Sequence, residues 1–190
     1  MDDTVRADAP LRATFCGPRH LTADEIADLH QTEFTSLTRF LLFQGATWNE
    51  AQDSAQDAFA ELCRCMPAVS SPRAWLRTVA YRCWLKRPTH EEANEEIVHR
   101  TSPTTHSWQS PAEALELTSQ QRYVAQLLIQ LPPKQRAAMA WHLDGFTTKE
   151  IARELRTSPG AVLQNLSRAR NTLKQALASP TSKFHVRRQV

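Results

Sequence analysis

The sequence predicts an all-α protein made of two small helical domains joined by a flexible acidic linker. Apolar residues recur every three or four positions over long segments, which is the spacing of one buried helix face. Capping boxes, in which Ser or Thr is followed three residues later by Glu, mark helix starts at Thr22, Thr47, Ser110 and Thr147. The chain has only 4 glycines in 190 residues, as expected for helices joined by few tight turns.

The first predicted domain spans residues 21–87, after a flexible N-terminal arm of residues 1–20. Its helix ends are legible because glycine and proline break helices. Gly45 ends the first helix, Pro67 follows the second, and Pro88 closes the third. The three helices are predicted at about residues 23–44, 48–66 and 72–86.

A predicted linker follows at residues 88–109. It holds a glutamate-rich patch at 91–96 and a Ser/Thr-rich stretch at 101–107, and no apolar face persists through it. Such a segment cannot bury enough apolar surface to fold, so we expect it to be solvated.

The second predicted domain spans residues 110–178 and is followed by a basic tail of residues 179–190. Gly145 ends one helix, and a short helix, a tight turn and a longer helix follow it, which is the pattern of a helix-turn-helix. The first helix of this domain is predicted to end near residue 130. The other three are predicted to span about 133–143, 148–156 and 159–178. The last helix has a predicted inner stripe of Val162, Leu166, Ala169, Leu173 and Leu177.

The positive charge is concentrated on this second half. Residues 122–177 carry nine basic and three acidic side chains, whereas residues 88–121 carry one basic and six acidic. A local excess of +6 is typical of a surface that binds the phosphate backbone. The outer face of the last helix carries Gln, Asn and Arg, which can bond base edges, and Ser158 at its start suits a phosphate.

Two helices of the first domain carry further candidate surfaces. The third helix alternates cations with aromatic residues, a pattern that suits single-stranded nucleic acid. We expect Trp75 to lie in the core. Trp75, Tyr81 and Trp84 cannot all lie on the same face of this helix. The second helix places Asp53, Gln56 and Asp57 on one side, where a small acidic patch can dock a protein partner.

Several function classes are disfavoured by the sequence. No glycine-rich phosphate loop, nucleophile elbow or metalloprotease motif occurs, and the four cysteines lack zinc-site spacing. We therefore expect no catalysis, metal or cofactor. No run of about 18 apolar residues occurs, and the acidic N-terminus does not read as a secretory signal, so a cytoplasmic location is expected.

Together these segments resemble the extracytoplasmic-function (ECF) sigma factors of bacterial RNA polymerase, over about residues 25–178. Residues 51–59 look like the family's polymerase-docking helix, and residues 71–80 look like its promoter-melting helix. Residues 131–136 and the helix-turn-helix look like its −35-binding domain. The order of these segments makes the resemblance specific.

The resemblance implies three surfaces and three partners: the largest polymerase subunits, double-stranded promoter DNA and the melted non-template strand. The docking face, for the polymerase, comprises Asp53, Gln56, Asp57 and Phe59. The melting face, for the −10 element, comprises Arg73, Arg77, Tyr81, Arg82, Trp84 and Lys86. The reading face, for the −35 element, comprises Thr148, Lys149, Ser158, Leu163, Gln164, Asn165, Ser167 and Arg168.

Four positions depart from the family pattern. Arg82 and Lys86 stand where Asn and Asp are usual, which puts the reading of the flipped base in question. Leu163 and Asn165 stand where basic residues are common, so we expect an altered −35 sequence or weak binding that another protein assists.

Other functions stay open at the level of sequence. A stand-alone helix-turn-helix regulator would need neither the acidic docking helix nor the Trp/Arg helix. A degenerate sigma-like protein would bind a partner without melting DNA, and an enzyme acting on nucleic acid would need a catalytic set that the sequence lacks. Whether an anti-sigma factor binds is also open.

Overall fold

The computed structural model describes residues 20–65, 68–87 and 119–178. Within these ranges the regular elements are seven helices. In chain order they are α1 (Ala23–Gln44), α2 (Trp48–Cys65), α3 (Pro72–Leu85), α4 (Ser119–Ile129), α5 (Pro133–Leu143), α6 (Thr148–Glu154) and α7 (Pro159–Ala178). Among these described helices, none combines the length and apolar character that a membrane crossing requires.

Helices α1 to α3 form one packed unit. The start of α1 is set by Thr22 and Glu25, which make both bonds of the capping box, and its end by Gly45 at φ 108°. A residue with a Cβ adopts that left-handed conformation only with strain, which explains the glycine. Each helix contributes a fully buried leucine to a common core, and these are Leu41, Leu62 and Leu76.

Helices α4 to α7 form the second unit, with α6 and α7 as the helix-turn-helix. Thr147 and Glu150 make the capping box that starts α6, as the sequence predicts. Ile151 of α6 and Val162 and Leu166 of α7 are buried, which fixes the angle between the two helices. The opposite side of α7 is thereby left on the surface.

The predicted helix limits agree closely with the structure for α1, α5 and α7. Helix α6 ends at Glu154, two residues early, and Arg156 then takes φ 50° in the turn. The sequence predicts Leu177 on the buried stripe of α7, but its side chain is 58% exposed. The linker 88–109 and the helix start near residue 110 lie outside the described residues.

The two units are docked against each other through α1, which packs on both α4 and α5. Phe40 of α1 meets Trp141 of α5 edge to face at 5.2 Å, and Trp141 meets Phe146 at 4.8 Å. All three rings are at least 93% buried. The helix-turn-helix unit is therefore held against the N-terminal unit by an apolar contact.

Candidate nucleic-acid and polymerase interfaces

The reading face lies largely open to solvent. Gln164, Ser167 and Arg168 are exposed, Leu163 is 57% exposed, and Asn165 is half-buried. Gln164, Ser167 and Arg168 stand on the side of α7 opposite Val162 and Leu166, as the helical period requires, and Asn165 lies at the edge of the buried side. The face combines amide, hydroxyl and guanidinium groups, which can bond base edges and phosphates in a major groove.

The residues of α6 and of the turn before α7 contribute positive charge beside the reading face, and Ser158 lies at the start of α7. Ser158 is exposed, but its hydroxyl accepts a bond of 3.2 Å from the Ala161 backbone N–H, so it caps the helix. Lys149 on α6 is exposed, whereas Thr148 is half-buried. Arg156 in the turn is exposed as well. Cations thus flank the reading face on its α6 side.

The melting face is covered in part, and Arg77 is its most buried member. Its side chain is 0% exposed. Its Nε lies 2.7 Å from Asp144 Oδ2, and its Nη2 lies 2.7 Å from Glu33 Oε2. Nη2 also donates to Ser36 Oγ at 2.8 Å. An ion-paired cluster therefore encloses Arg77 in this conformation, and its assignment to the −10 element stays a prediction.

Arg73 joins the same cluster from the next turn of α3. Its Nε lies 2.8 Å from Glu33 Oε1, and Nη2 donates to the Asp144 backbone carbonyl at 3.4 Å. The guanidinium also lies 5.4 Å from the centre of the Phe146 ring, a cation–π distance. Arg73 stays exposed, yet its charge is directed at the second unit.

The two acids of the cluster respond differently to it. Burial raises the pKa of Asp144 above its usual value, although Arg77 opposes that rise. Burial would also raise the pKa of Glu33, but the charges and hydrogen bonds of Arg77 and Arg73 outweigh it and lower the pKa of that carboxyl. Of the two carboxyl groups, Glu33 therefore holds its negative charge to lower pH than Asp144 does.

The aromatic members of α3 are placed differently from the prediction. Trp84 is 5% exposed and its indole N–H donates to Glu50 Oε2 at 3.3 Å, so it belongs to the core. Trp75, expected in the core, is half-buried at its edge. Tyr81 is half-buried, and burial raises the pKa of its phenol. The helical periodicity of the sequence separates the faces of α3, but it does not show which tryptophan faces the core.

Arg82 and Lys86 remain as exposed cations of the melting face. They are the two positions at which the sequence departs from the family's usual Asn and Asp. In this conformation a nucleic acid can therefore reach the unusual residues of α3 more easily than Arg77.

The docking face is exposed on three of its four members. Asp53, Gln56 and Asp57 lie on the surface of α2. Arg87, just after α3, lies 3.0 Å from Asp53 Oδ2 and 3.5 Å from Asp57 Oδ2. The two carboxylates are thus presented as a pair held by one cation.

Phe59 is the exception on the docking face, since it is only 5% exposed. It packs edge-on against His30 of α1, with 4.8 Å between ring centres. Phe59 therefore packs α2 against α1, and little of its side chain is exposed to a partner protein.

The side chains that enclose Arg77 could not be predicted from the sequence. Glu33 and Ser36 come from α1, and Asp144 lies 67 residues after Arg77. No local pattern pairs residues so far apart. Within the described ranges, no cluster of His, Cys, Asp and Glu could hold a metal ion.

Comparison with known proteins finds a family match in the second unit and a similar curated protein. Residues 121–173 match the family "Sigma-70, region 4". The chain is 30% identical over 168 residues to the ECF RNA polymerase sigma factor SigJ of Mycobacterium tuberculosis (strain ATCC 25618 / H37Rv), across 78% of this chain and 52% of that protein. The chain thus spans about half the length of this curated relative.

Two solved structures share the fold. One is the sigma factor RpoE with the anti-sigma factor NepR from Bartonella quintana (TM-score 0.60, 20% identity, 82% of this chain and 98% of that one). The other is CnrH with the cytosolic domain of CnrY (TM-score 0.57, 19% identity, 82% and 89%). The second unit therefore matches region 4 of sigma-70, and the chain as a whole is similar in sequence to an ECF sigma factor and shares the fold of the two solved structures.

Proposed function

We propose that this chain binds the core of bacterial RNA polymerase and directs transcription initiation by recognising −35 and −10 promoter elements and assisting DNA melting. The observation that carries the proposal is the exposed reading face of α7, in a basic helix-turn-helix that matches region 4 of sigma-70. In this proposal residues 21–87 bind polymerase and the −10 element, and residues 110–178 bind the −35 element.

Recognition of the −35 element rests on α7. Gln164 can bond adenine through two hydrogen bonds, and Arg168 can bond guanine or a phosphate. Both are exposed on one side of the helix. Lys149 would position the domain on the backbone without reading sequence.

Promoter melting is assigned to α3. Cations and aromatic rings on one helix suit an unpaired strand, because cations hold the backbone and rings stack on bases. Arg82 and Lys86 are ready to do so, while Tyr81 and Arg77 must first be uncovered. Trp84, which is buried, would support the helix.

Polymerase docking is assigned to the acidic pair on α2. The side chains of Asp53 and Asp57 are about half exposed, and both pair with Arg87. Such an exposed pair is worth little in itself, so cations of a partner can replace Arg87 at small cost. Phe59 would keep α2 in place from the core.

The chemistry of RNA synthesis would belong to the polymerase, and this chain would supply sequence recognition and strand separation. A cytoplasmic location follows from that role. An anti-sigma factor would be a further partner, by analogy with the solved complex of RpoE with the anti-sigma factor NepR, which shares the fold.

A binding measurement with purified core polymerase tests the proposal. We expect the double variant Asp53→Asn/Asp57→Asn to bind core polymerase at least tenfold more weakly, since interface charge pairs are often worth more than about 1.5 kcal/mol. The matched control is Asp24→Asn/Asp28→Asn, which removes two exposed charges from the start of α1.

Failure of the wild-type protein to bind core polymerase, with DNA binding intact, would contradict the proposal and favour a stand-alone regulator. Equal weakening in the two double variants would contradict the assignment of the docking face.

A further inference from the structure

Leu163 is an apolar residue on a face that is otherwise polar. It is 57% exposed, whereas Val162 before it and Leu166 one turn later are buried in the core. Its exposed neighbours on the surface of α7 are Gln164, the next residue, and Ser167, one turn further along. More than half of this leucine therefore stays in contact with water in the free protein.

The first turn of α7, just before Leu163, carries no long side chain. It consists of Pro159, Gly160 and Ala161, and the first two are exposed. A Cβ at Gly160 would meet Ser158 Oγ at 4.0 Å, which is ordinary van der Waals contact. A helix start with such small residues lets the backbone approach the floor of the major groove, so that a side chain as short as leucine reaches a base edge.

The position of Leu163 along α7 suits contact with bases. The helix begins at Pro159, and the residues near the N-terminus of a recognition helix are those that meet base edges. Lys149 and Arg156 are exposed on the α6 side, where they can bond phosphates and fix the register of the duplex. The first turns of α7 are then left to contact the bases.

The chemistry of leucine selects one feature of the major groove. Base edges there present nitrogen and oxygen atoms, which an aliphatic side chain cannot bond, and thymine adds a 5-methyl group. Covering a polar edge with leucine removes its hydrogen bonds to water, whereas covering a methyl group removes apolar surface from water. This methyl group lies at the outer edge of thymine, beside the backbone of its own strand.

We infer that Leu163 specifies a thymine in the −35 element by packing against its 5-methyl group. The inference deepens the proposed function of the reading face and rests on it. A basic residue at this position would bond a phosphate or guanine, so leucine changes the preferred base as well as removing a charge. Gln164 beside it can bond adenine, and the two residues together favour neighbouring A·T pairs.

Deoxyuridine tests the inference because it differs from thymidine in the base by that methyl group alone. A random-sequence duplex library is selected for binding to the full-length protein. A labelled duplex of the selected sequence is then made with deoxyuridine in place of thymidine at one position at a time, and fluorescence anisotropy measures each affinity. Burial of one methyl group predicts that the wild-type protein binds about fourfold more weakly when the critical thymidine is replaced.

Protein variants assign the effect to Leu163. Leu163→Ala removes most of the apolar surface, so its preference for thymidine at that position should fall below about twofold. Leu163→Met keeps a long apolar side chain and should retain the preference. The matched control is Leu177→Ala, which shortens a leucine of the same helix that is 58% exposed, and it should keep the full preference. Both leucines are exposed, so neither change should disturb the core.

Equal binding of the thymidine and deoxyuridine duplexes by the wild-type protein at every position would overturn the inference. The same fourfold loss in the wild-type protein and in Leu163→Ala would also overturn it, since the methyl group would then act through another residue or through the shape of the duplex. A selected sequence without thymine at a fixed position would do so as well. If selection yields no common sequence, the proposed −35 recognition fails together with the inference, and this result differs from the other three.

Discussion

Replacing Leu163 by arginine should strengthen the binding of double-stranded DNA by restoring a cation to the reading face. Leu163 is 57% exposed, so the change removes little buried surface. The neighbouring Val162 and Leu166 hold α7 in the core and are untouched. Arginine is also a good helix former, so the helix should persist.

The magnitude follows from counterion release. One further phosphate contact steepens the slope of log K against log salt by about 0.9. Between about 50 and 200 mM salt, Leu163→Arg should therefore lose about 3.5-fold more affinity than the wild-type protein does. Fluorescence anisotropy of a labelled duplex over a salt series measures both slopes.

The control is Leu177→Arg, which adds the same charge to α7 at a leucine that is 58% exposed, beyond the reading face. The reasoning predicts a steeper slope for Leu163→Arg alone. An unchanged slope in Leu163→Arg, or the same increase in both variants, would refute the placement of Leu163 beside the phosphate backbone.

Three further predictions concern stability, measured by urea denaturation. Leu166→Ala, at a side chain 2% exposed, should lower the free energy of unfolding by about 2–5 kcal/mol, and a loss below 1 kcal/mol would contradict its place in the core. Gly145→Ala should cost about 1 kcal/mol from the strain of φ 90° alone, since a Cβ there meets nothing within 4 Å; no loss would contradict this. Hydrogen bonds from Thr147 lower the pKa of Glu150, so its contribution is present above pH 4.5 and is lost as the pH falls through the lowered value. The stability of the wild-type protein relative to Glu150→Gln should therefore shrink on acidification, and a constant difference from pH 6 to 3 would exclude that role.

The helices themselves could be predicted from the sequence because their signals are local. Thr22 with Glu25, and Thr147 with Glu150, make the capping boxes that the spacing predicts. Gly45 ends α1 because the left-handed residue after a helix favours glycine. Such signals act within a few residues of the helix end, so no tertiary contact is needed to interpret them.

The environment of α3 could not be predicted in the same way. Helical period separates its faces, but burial depends on what packs against each face. Trp84 is in the core and Trp75 at its edge, the reverse of the expectation. Arg77 is enclosed by Glu33 and Asp144, which lie far from it in sequence. Cations on a helix therefore indicated a binding surface without showing that part of it is covered.

Run-off transcription tests the central claim most directly. Purified bacterial core polymerase is supplied with a library of genomic promoter fragments, with and without this protein. The account predicts transcripts that require the protein and whose start sites share −35 and −10 elements at a common spacing. Duplex DNA binding by the protein, without any transcript that depends on it, would contradict the account.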